Sequence, residues 1–279
     1  MKLAFVDIGE LGWSLYLSAR ARWLKRQSQP IPLIVTLPDR MCLYEGLAND
    51  IRAVPTDFNR EFGQAVASCF GLEGISADRL RSYFNRMLAP NYFVTDEMTF
   101  RCKPYWPYAY RDRFLFEPYP YKVKLSGSKE ILVFPRWRNS VARNIPKSFY
   151  ITLVDMLCDK FQDCVIRTIG VSNGAYDIYE VKKGNYANRV KENGDLQNFI
   201  DRCQMAMAAV GGQSAPPKIS LLQGVPTFMI GHERDRHVKE ENWMGTKVGF
   251  YEVNKERYGN FNFNECIAKA VSFIEETMK

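Results

Sequence analysis

Two arginines follow an apolar, strand-like run in the second half of the chain. Residues 131–134 read ILVF, and residues 135–138 read PRWR, with Arg143 a little further on. A strand ended by a proline leaves the next side chains at its carboxyl edge, and guanidinium groups bind phosphate oxygens in pairs. Arg136 and Arg138 are therefore candidates for binding a phosphate, with Arg143 as a neighbour. The alternative is that they belong to a solvated loop.

A glycine-rich turn follows a second apolar run, residues 205–210, and consists of Gly211, Gly212, Gln213 and Ser214. A helix is predicted directly after it, over 217–223. Glycine lets the backbone approach a ligand closely, and the N–H groups at a helix start suit a phosphate. Many strand–helix turns need a glycine for geometry alone. In this context the turn predicts a further phosphate contact.

Two carboxylates follow the first apolar run, residues 3–6. Asp7 comes first, and Glu10 lies in the predicted turn 7–12, before a helix predicted over 13–26. A carboxylate in such a turn can take a proton from a hydroxyl group as a general base. Glu10 is the first choice for this role and Asp7 the second. The alternative for Glu10 is that its charge only stabilises the start of the helix.

The chain has two histidines, His232 and His237, and acidic residues stand between them. Their spacing of five puts the imidazoles on opposite faces of a helix, and no further ligand is evident. No Asp-x-Asp pair stands out for a metal-bound phosphate. We therefore expect no metal, and predict a basic loop here, with Glu241 and Asn242 after it as further site candidates.

The elements that position these residues alternate between strands and helices. In the first half, strands are predicted at 3–6, 33–36 and 51–54, with a helix at 13–26. The second half repeats the pattern, with strands at 130–135, 164–169, 205–210 and 226–230. Helices are predicted at 146–161, 196–203, with Asp195 as N-cap, and 264–278.

This order predicts an α/β protein with two Rossmann-like domains facing a central crevice. We place the domains at 1–125 and 126–279, with Ser126-Gly127-Ser128 as the joint. In such folds ligands bind at the carboxyl ends of the strands and between the domains. Residues 104–121 (PYWPYAYRDRFLFEPYPY) interrupt the pattern, and their prolines favour an extended surface segment.

The composition of the chain excludes several classes of protein. The 279 residues, 46% apolar and 25% charged, suit two folded domains. No apolar run approaches the ~20 residues of a membrane span, and acids near the N-terminus argue against a signal peptide. Seven cysteines without a C-x-x-C pair argue against disulfides and zinc, and favour the cytoplasm. The net charge of +7 favours anionic partners or merely aids solubility.

Residues 194–231 resemble the C-terminal domain of heptosyltransferase-like GT-B glycosyltransferases. That family shows a D-L helix, a strand, a Gly-rich turn, a helix and a G-x-P-T strand that ends in glycine. The resemblance implies that residues 211–214 and the following helix hold the donor diphosphate. Residues 134–146 resemble the family's first C-domain strand, where a basic residue precedes W-P, although Ile145 replaces the Trp.

The N-terminal residues resemble the same family in part. Its pattern is a strand followed by G-x-x-G-D, whose Asp acts as the base, and here Trp13 stands in place of that Asp. A related group carries G-E-x-G-W-E, which this chain matches from Gly9 through Gly12 and Trp13, with Ser14 in place of the last Glu. These residues join the site candidates. Residues 40–125 match nothing in either pattern.

The resemblance implies an inverting glycosyltransferase that moves a sugar from a nucleotide donor, such as a UDP-sugar, to an acceptor hydroxyl. It also implies that the basic loop at His232 contacts the nucleotide and that Glu241 and Asn242 contact the donor. It implies neither cofactor nor metal, and the acceptor is left open. One alternative is a phage-type enzyme that glycosylates a modified base in DNA, which the basic charge and the aromatic segment 104–121 permit. The other is a non-catalytic module that binds a nucleotide or a glycan, because the usual Asp is absent.

Overall fold

The protein, described here as a computed structural model, divides into two compact units, Met1–Glu117 and Pro118–Lys279. The structure describes residues 2–29, 31–54, 76–101, 103–104, 129–138, 143–171, 173–192, 195–232, 234, 246–255 and 258–278. The predicted joint at 126–128 and almost all of the aromatic segment 104–121 lie outside these residues.

The first unit is a sheet covered by helices. Its elements are β1 (Lys2–Gly9), α1 (Leu11–Arg26), β2 (Leu33–Thr36), a 3-10 helix (Pro38–Tyr44), β3 (Asp50–Ala53), α2 (Ala77–Leu88), β4 (Tyr92–Arg101) and β5 (Lys103–Pro104). The strand order is β3-β2-β1-β4-β5. Strands β1 to β4 run parallel, and β5 pairs antiparallel with β4. The predicted helix–strand alternation is confirmed here.

Strand β1 lies between β2 and β4, and its residues from Ala4 to Gly9 are buried. Ala4, Val6 and Ile8 pack on the face that α2 covers. Successive side chains of a strand alternate between faces, so Phe5 and Asp7 point to the opposite side. Asp7 thus shares a face with apolar residues.

The predicted turn at 7–12 was wrong in its first half. Strand β1 continues to Gly9, with Asp7 opposite Thr36 on β2 and Gly9 opposite Arg101 on β4. A central strand has a neighbour on both sides, so its ladder of hydrogen bonds extends beyond its apolar residues. Asp7 therefore belongs to the strand, and Glu10 alone follows it.

The second unit is an all-parallel sheet with helices on both faces. Its elements are β6 (Glu130–Phe134), α3 (Lys147–Lys160), β7 (Val165–Ile169), β8 (Tyr186–Arg189), α4 (Leu196–Gln204), β9 (Ala208–Gly212), α5 (Ala215–Leu222), β10 (Thr227–Gly231), β11 (Val248–Glu252) and α6 (Phe263–Thr277). The strand order is β11-β10-β9-β6-β7-β8. Counted from β6 this is 3-2-1-4-5-6, the order of dinucleotide-binding folds.

The core of this unit lies between the sheet and the helices α3 and α6. Phe149 and Leu153 of α3 pack there with Ile131 and Val133 of β6. The stripe predicted for the last helix is confirmed, because its members are all buried: Cys266, Ile267, Ala270, Phe273 and Ile274. Burying a large apolar side chain contributes roughly 1.5–3 kcal/mol, so α6 is part of the core.

Helix α5 ends in a glycine turn that starts the next strand. Gly224 has a φ of 76°. This left-handed conformation lets the Gly224 and Val225 N–H groups bond back to the carbonyls of Leu221 and Ser220, at 2.9 and 3.0 Å. The glycine of the G-x-P-T pattern therefore has a structural reason, since a side chain would be strained there.

Candidate functional site

The strand order of the second sheet reverses between β6 and β9. These strands pair with Phe134 opposite Gly211, so the loop after β6 and the turn after β9 leave the sheet side by side. Chains diverge at such a point and leave a depression at the carboxyl edge of the sheet. Arg136 and Arg138 follow β6, and Ser214 follows β9. Two of the predicted phosphate contacts are thereby brought to one edge.

Arg136 is a buried cation in this edge. Its side chain is 8% exposed, and its Nη1 donates a hydrogen bond of 2.8 Å to the carbonyl of Arg143. Burial, followed by the charges of Arg138 and Arg143, lowers the pKa of Arg136 to about 10. The guanidinium stays charged at neutral pH, but its charge is poorly solvated and repelled by its neighbours. An anion bound here would relieve both costs.

The loop that carries these arginines is fixed by its backbone. Arg136 forms a bridge with Ala175, and the Trp137 N–H donates to the carbonyl of Gly174 at 3.0 Å. The Asn144 side chain accepts from the Arg138 N–H at 3.0 Å and donates to the Arg138 carbonyl at 2.6 Å. The backbone of Arg138 is thus held at both of its polar groups, and its side chain is exposed.

The two glycines lie inside β9 rather than after it, which corrects the predicted turn. A β-carbon on Gly211 would lie 2.8 Å from Phe134 Cβ and 3.0 Å from Pro217 Cγ. Packing alone therefore accounts for this glycine. On Gly212 the nearest atoms would be the Tyr150 hydroxyl at 3.4 Å and Ile145 Cδ1 at 3.5 Å, which is ordinary contact.

Helix α5 offers few N–H groups to an anion. Two of its first three residues, Pro216 and Pro217, are prolines and carry no N–H. The Gln213 N–H is engaged with the carbonyl of Ile230 at 2.8 Å. The Ser214 hydroxyl donates to the carbonyl of Gly212 at 2.9 Å. The prediction that the helix start binds phosphate therefore narrows to the Ser214 and Ala215 amides.

Tyr150 is a residue of this edge that the sequence reading missed. It comes from the first turn of α3 and is fully buried. Its hydroxyl lies beside the backbone of Arg136, but within the described part of the chain it makes no hydrogen bond of full geometry. Burial raises the pKa of the Tyr150 hydroxyl above its ordinary value, against the opposing charge of Arg136. A bound water or ligand atom that bonds to this hydroxyl would therefore be stabilising.

Gln213 and His232 belong to a network that ties β9 to β10. The Gln213 Oε1 accepts from the His232 N–H at 3.0 Å and from the Tyr258 hydroxyl at 3.4 Å. The His232 Nδ1 bonds to the same hydroxyl at 2.7 Å. Across the described residues no group of three or more His, Cys, Asp or Glu side chains could hold a metal ion. Glu241 and Asn242 lie outside those residues.

The equivalent edge of the first unit carries Glu10. Glu10 is the N-cap residue of α1, but its side chain makes no capping hydrogen bond. The cap is formed by its carbonyl, which accepts from the N–H groups of Trp13 and Ser14 at 2.8 and 3.2 Å. The partly exposed carboxylate is not used by the helix in this way. A β-carbon on Gly12 would meet no atom within 4 Å, so there is open space beside it.

Trp13 and Asp7 are part of the interior. The Trp13 ring is 8% exposed and packs against Tyr16, with ring centroids 5.5 Å apart. Asp7 is completely buried. Its carboxylate accepts three hydrogen bonds: from Ser14 Oγ at 2.9 Å, from the Tyr44 hydroxyl at 2.7 Å and from Thr36 Oγ1 at 3.1 Å. Direct contact with an acceptor would require Asp7 to leave this network.

Arg40 is the other residue that the sequence reading missed. It lies in the 3-10 helix, and its Nη1 donates to Ser14 Oγ at 2.8 Å and to the carbonyl of Gly9. A basic residue inside the unmatched region 40–125 gives no local signal of this contact.

Among the helices of the described residues, none combines the length and apolarity of a membrane span.

The comparisons with known proteins concern the fold. No protein-family model matches the chain, and no curated protein matches it. The chain is similar to solved glycosyltransferase structures. Escherichia coli ADP-heptose LPS heptosyltransferase II gives a TM-score of 0.65 at 12% identity, covering 100% of both chains. The E. coli heptosyltransferase WaaC with ADP gives 0.61 at 11% identity, covering 99% of this chain and 100% of that one.

A third structure, the family 9 glycosyl transferase from Veillonella parvula, gives 0.61 at 10% identity, covering 99% of this chain and 97% of that one. The chain has their fold. These enzymes, like this chain, combine parallel sheets with covering helices, as the GT-B resemblance implied. At such low identities the likeness shows the fold alone.

Proposed function

We propose that this protein is a glycosyltransferase that moves a sugar from a nucleotide-sugar to an acceptor hydroxyl with inversion at the anomeric carbon. The observation that carries the proposal is the crowding of Arg136, Arg138 and Arg143 where the strand order of the second sheet reverses. A buried cation repelled by like charges is suited to a diphosphate. The fold shared with heptosyltransferases, one of them solved with ADP, agrees with such a donor.

In the proposed reaction the second unit holds the leaving group. The acceptor oxygen forms a bond to the anomeric carbon while the bond from that carbon to the phosphate oxygen breaks. The electron pair of the broken bond stays on the nucleoside diphosphate. Arg136, Arg138 and the Ser214 and Ala215 amides would stabilise its developing charge. One displacement inverts the configuration, and the residues invoked require no cofactor or metal.

The first unit supplies the base. Glu10 is the carboxylate at the carboxyl end of β1 that is partly exposed and makes no capping hydrogen bond. It would take the proton of the acceptor hydroxyl as the new bond forms. Asp7 is satisfied by three hydroxyl groups in the interior. We therefore assign proton transfer to Glu10 and a structural role to Asp7.

A thermal-shift screen tests the donor. Nucleotide-sugars based on ADP, UDP and GDP, the free diphosphates and pyrophosphate are each titrated against the protein. A ligand at 100 times its Kd stabilises the folded state by about 2.7 kcal/mol, which raises the melting temperature. Donors that stabilise are then incubated with candidate acceptors, and the anomeric configuration of any product is read by NMR. A retained configuration, or no stabilisation by any nucleotide, would overturn the proposal.

The same screen separates the enzyme from a non-catalytic binding module. Slow hydrolysis of a bound nucleotide-sugar by water, detected as release of nucleoside diphosphate, indicates that the catalytic groups work without the true acceptor. Stabilisation without any hydrolysis or transfer would instead favour the binding module.

A further inference from the structure

The carboxylate of Asp7 is a buried charge at the end of β1. Among the described residues, hydroxyl groups of Ser14, Thr36 and Tyr44 donate to it. They come from α1, β2 and the 3-10 helix, so one carboxylate ties three elements to the end of β1. Taking a carboxylate out of water costs several kcal/mol, and a nearby cation reduces that cost.

Arg40 provides that cation through Ser14. The Ser14 hydroxyl donates to Asp7 Oδ1 at 2.9 Å and accepts from Arg40 Nη1 at 2.8 Å. The hydroxyl proton is thereby directed toward Asp7, and the two charges are linked through one oxygen. The Arg40 side chain is only 11% exposed, and its Nε lies 4.0 Å from the exposed carboxylate of Asp39. An exposed partner at that distance contributes little, so Arg40 acts mainly inward.

The same Arg40 nitrogen also donates to the carbonyl of Gly9, the residue before Glu10. The Glu10 carbonyl is held on the other side by the first turn of α1, through the N–H groups of Trp13 and Ser14. Both peptide groups that flank the Glu10 α-carbon are therefore fixed. Arg40 contributes one of these two anchors.

We propose that Arg40, acting through Ser14 and the Gly9 carbonyl, is the residue that positions Glu10, with Asp7 as its buried counter-charge. The inference rests on the proposed function, in which Glu10 is the base. Arg40 is a positioning residue in this scheme because it reaches Glu10 through the backbone. A base must lie within hydrogen-bond reach of its proton, and a displacement of about 1 Å can cost on the order of 100-fold in rate.

The first experiment measures transfer by Arg40→Met in the full chain, using the donor and acceptor identified for the wild type. We expect kcat to fall about 10- to 100-fold, while KM for the donor stays within about twofold, because the donor is held by the other unit. Arg52→Met is the matched control, since Arg52 is a half-exposed arginine of the same unit that pairs with Asp50. A wild-type kcat in Arg40→Met would overturn the inference.

A rescue experiment separates positioning from general support of the fold. Guanidinium ion at low, non-denaturing concentration should restore part of kcat in Arg40→Ala and none in Glu10→Gln. If Arg40→Met does not fold, Ser14→Ala removes only the hydroxyl link and should lower kcat by a smaller factor at unchanged donor KM. A rise in donor KM together with the fall in kcat in these variants, without rescue, would count against positioning.

A thermodynamic cycle tests the link between Arg40 and Asp7 without any activity. Melting temperatures are compared for Arg40→Met, Asp7→Asn and the double variant. The loss of stability in the double variant should fall well short of the sum of the single losses. Each single substitution already breaks the interaction between Arg40 and Asp7, and that interaction can be lost only once. Additive losses would overturn the link. Absence of transfer by the wild type would overturn the proposed function while leaving this cycle decisive for the link.

Discussion

In both units the first strand ends where the strand order of its sheet reverses. The residues at that end are acidic in the first unit and basic in the second. In each sheet the first strand lies between its second and fourth, where the strand order reverses. In the first unit that edge carries Glu10 above the buried carboxylate of Asp7. In the second it carries Arg136 among other arginines. The topology determines where a site forms, and the residues that follow the strand determine which ligand charge it accepts.

The two edges also differ in how they treat their buried charge. Asp7 accepts hydrogen bonds from three hydroxyl groups. Arg136 donates to one carbonyl and has Arg138 and Arg143 close enough to lower its pKa. At the first edge the buried carboxylate accepts hydrogen bonds from side chains of the same unit. The second is short of negative charge, which is the condition expected of an anion site before its ligand arrives.

The largest effect on sugar transfer should come from a substitution of Glu10, at the carboxyl end of β1. Glu10→Gln is nearly isosteric, so the helix cap through the backbone carbonyl should persist, but an amide cannot accept the proton. We expect transfer to fall about 10²- to 10⁴-fold while the melting temperature and the donor affinity stay unchanged. Sugar transfer, calorimetry with the donor and thermal unfolding measure the three quantities.

Asp7→Asn is the control for that experiment. It should lower the melting temperature, since an amide nitrogen would face hydroxyl donors, at a cost of about 1–3 kcal/mol. An active Glu10→Gln together with an inactive, stably folded Asp7→Asn would exchange the roles of the two acids.

Substitution of Arg138, after β6 in the second unit, should have an intermediate effect, on nucleotide affinity. Arg138→Ala removes an exposed charge from its loop, so the fold should persist while nucleotide affinity falls by about 1.5–3 kcal/mol, or roughly 10- to 100-fold. Isothermal calorimetry with the nucleoside diphosphate measures this. Arg189→Ala, an exposed arginine of the same unit that pairs with Glu192, is the matched control. Equal affinity in Arg138→Ala and Arg189→Ala would remove Arg138 from the site.

Arg136 requires a different variant. Arg136 is 8% exposed and its side chain donates to the Arg143 carbonyl, so truncation to alanine would disturb the fold as well as the site. We therefore expect Arg136→Met, which fills the space better, to lose both melting temperature and nucleotide affinity. Pyrophosphate should stabilise the wild type and not this variant.

A smaller effect distinguishes the two glycines of β9. Gly211→Ala would push a methyl group against Phe134 Cβ at 2.8 Å, and overpacking of this kind costs about 1–3 kcal/mol. Gly212→Ala meets its neighbours at 3.4 and 3.5 Å and should be tolerated. Chemical denaturation of the two variants measures the difference. Equal stabilities would mean that Gly211 is not held there by packing.

The smallest expected effect concerns nucleic acid. If the positive edge serves a diphosphate, the net charge of +7 should not produce tight DNA binding. We expect no gel retardation of single- or double-stranded DNA even at low salt. Retardation that weakens steeply with salt would instead indicate released counterions and revive the DNA-modifying alternative.

The parts of the fold that depend on local pattern could be predicted from the sequence. Strand β2 occupies the predicted residues 33–36. Asp195 caps α4 by accepting from the Asn198 N–H at 2.9 Å, as its place before the helix predicted. Periodicity and capping are signals contained in a short window, and tertiary packing did not override them here.

The strands that depend on neighbours could not be predicted. Strand β8 is polar, and its side chains bond laterally to β7, where Thr168 Oγ1 contacts the Tyr186 hydroxyl at 2.9 Å and Asn188 Oδ1 at 3.0 Å. The contacts of the candidate site share this limit. Thr36 and Tyr44 reach Asp7, and Arg40 reaches Ser14, across about 30 residues of sequence. The sequence shows which residue types are present, but it does not show that these side chains meet in the folded chain.

Helix α6 has a consequence for the order in which the chain acquires structure. Its stripe packs against α3 and the middle strands, so it closes the core that β6 and α3 begin. During synthesis β6 and α3 emerge long before α6, and their apolar faces stay uncovered until then. Chaperone binding to nascent chains should therefore concentrate on β6 and α3.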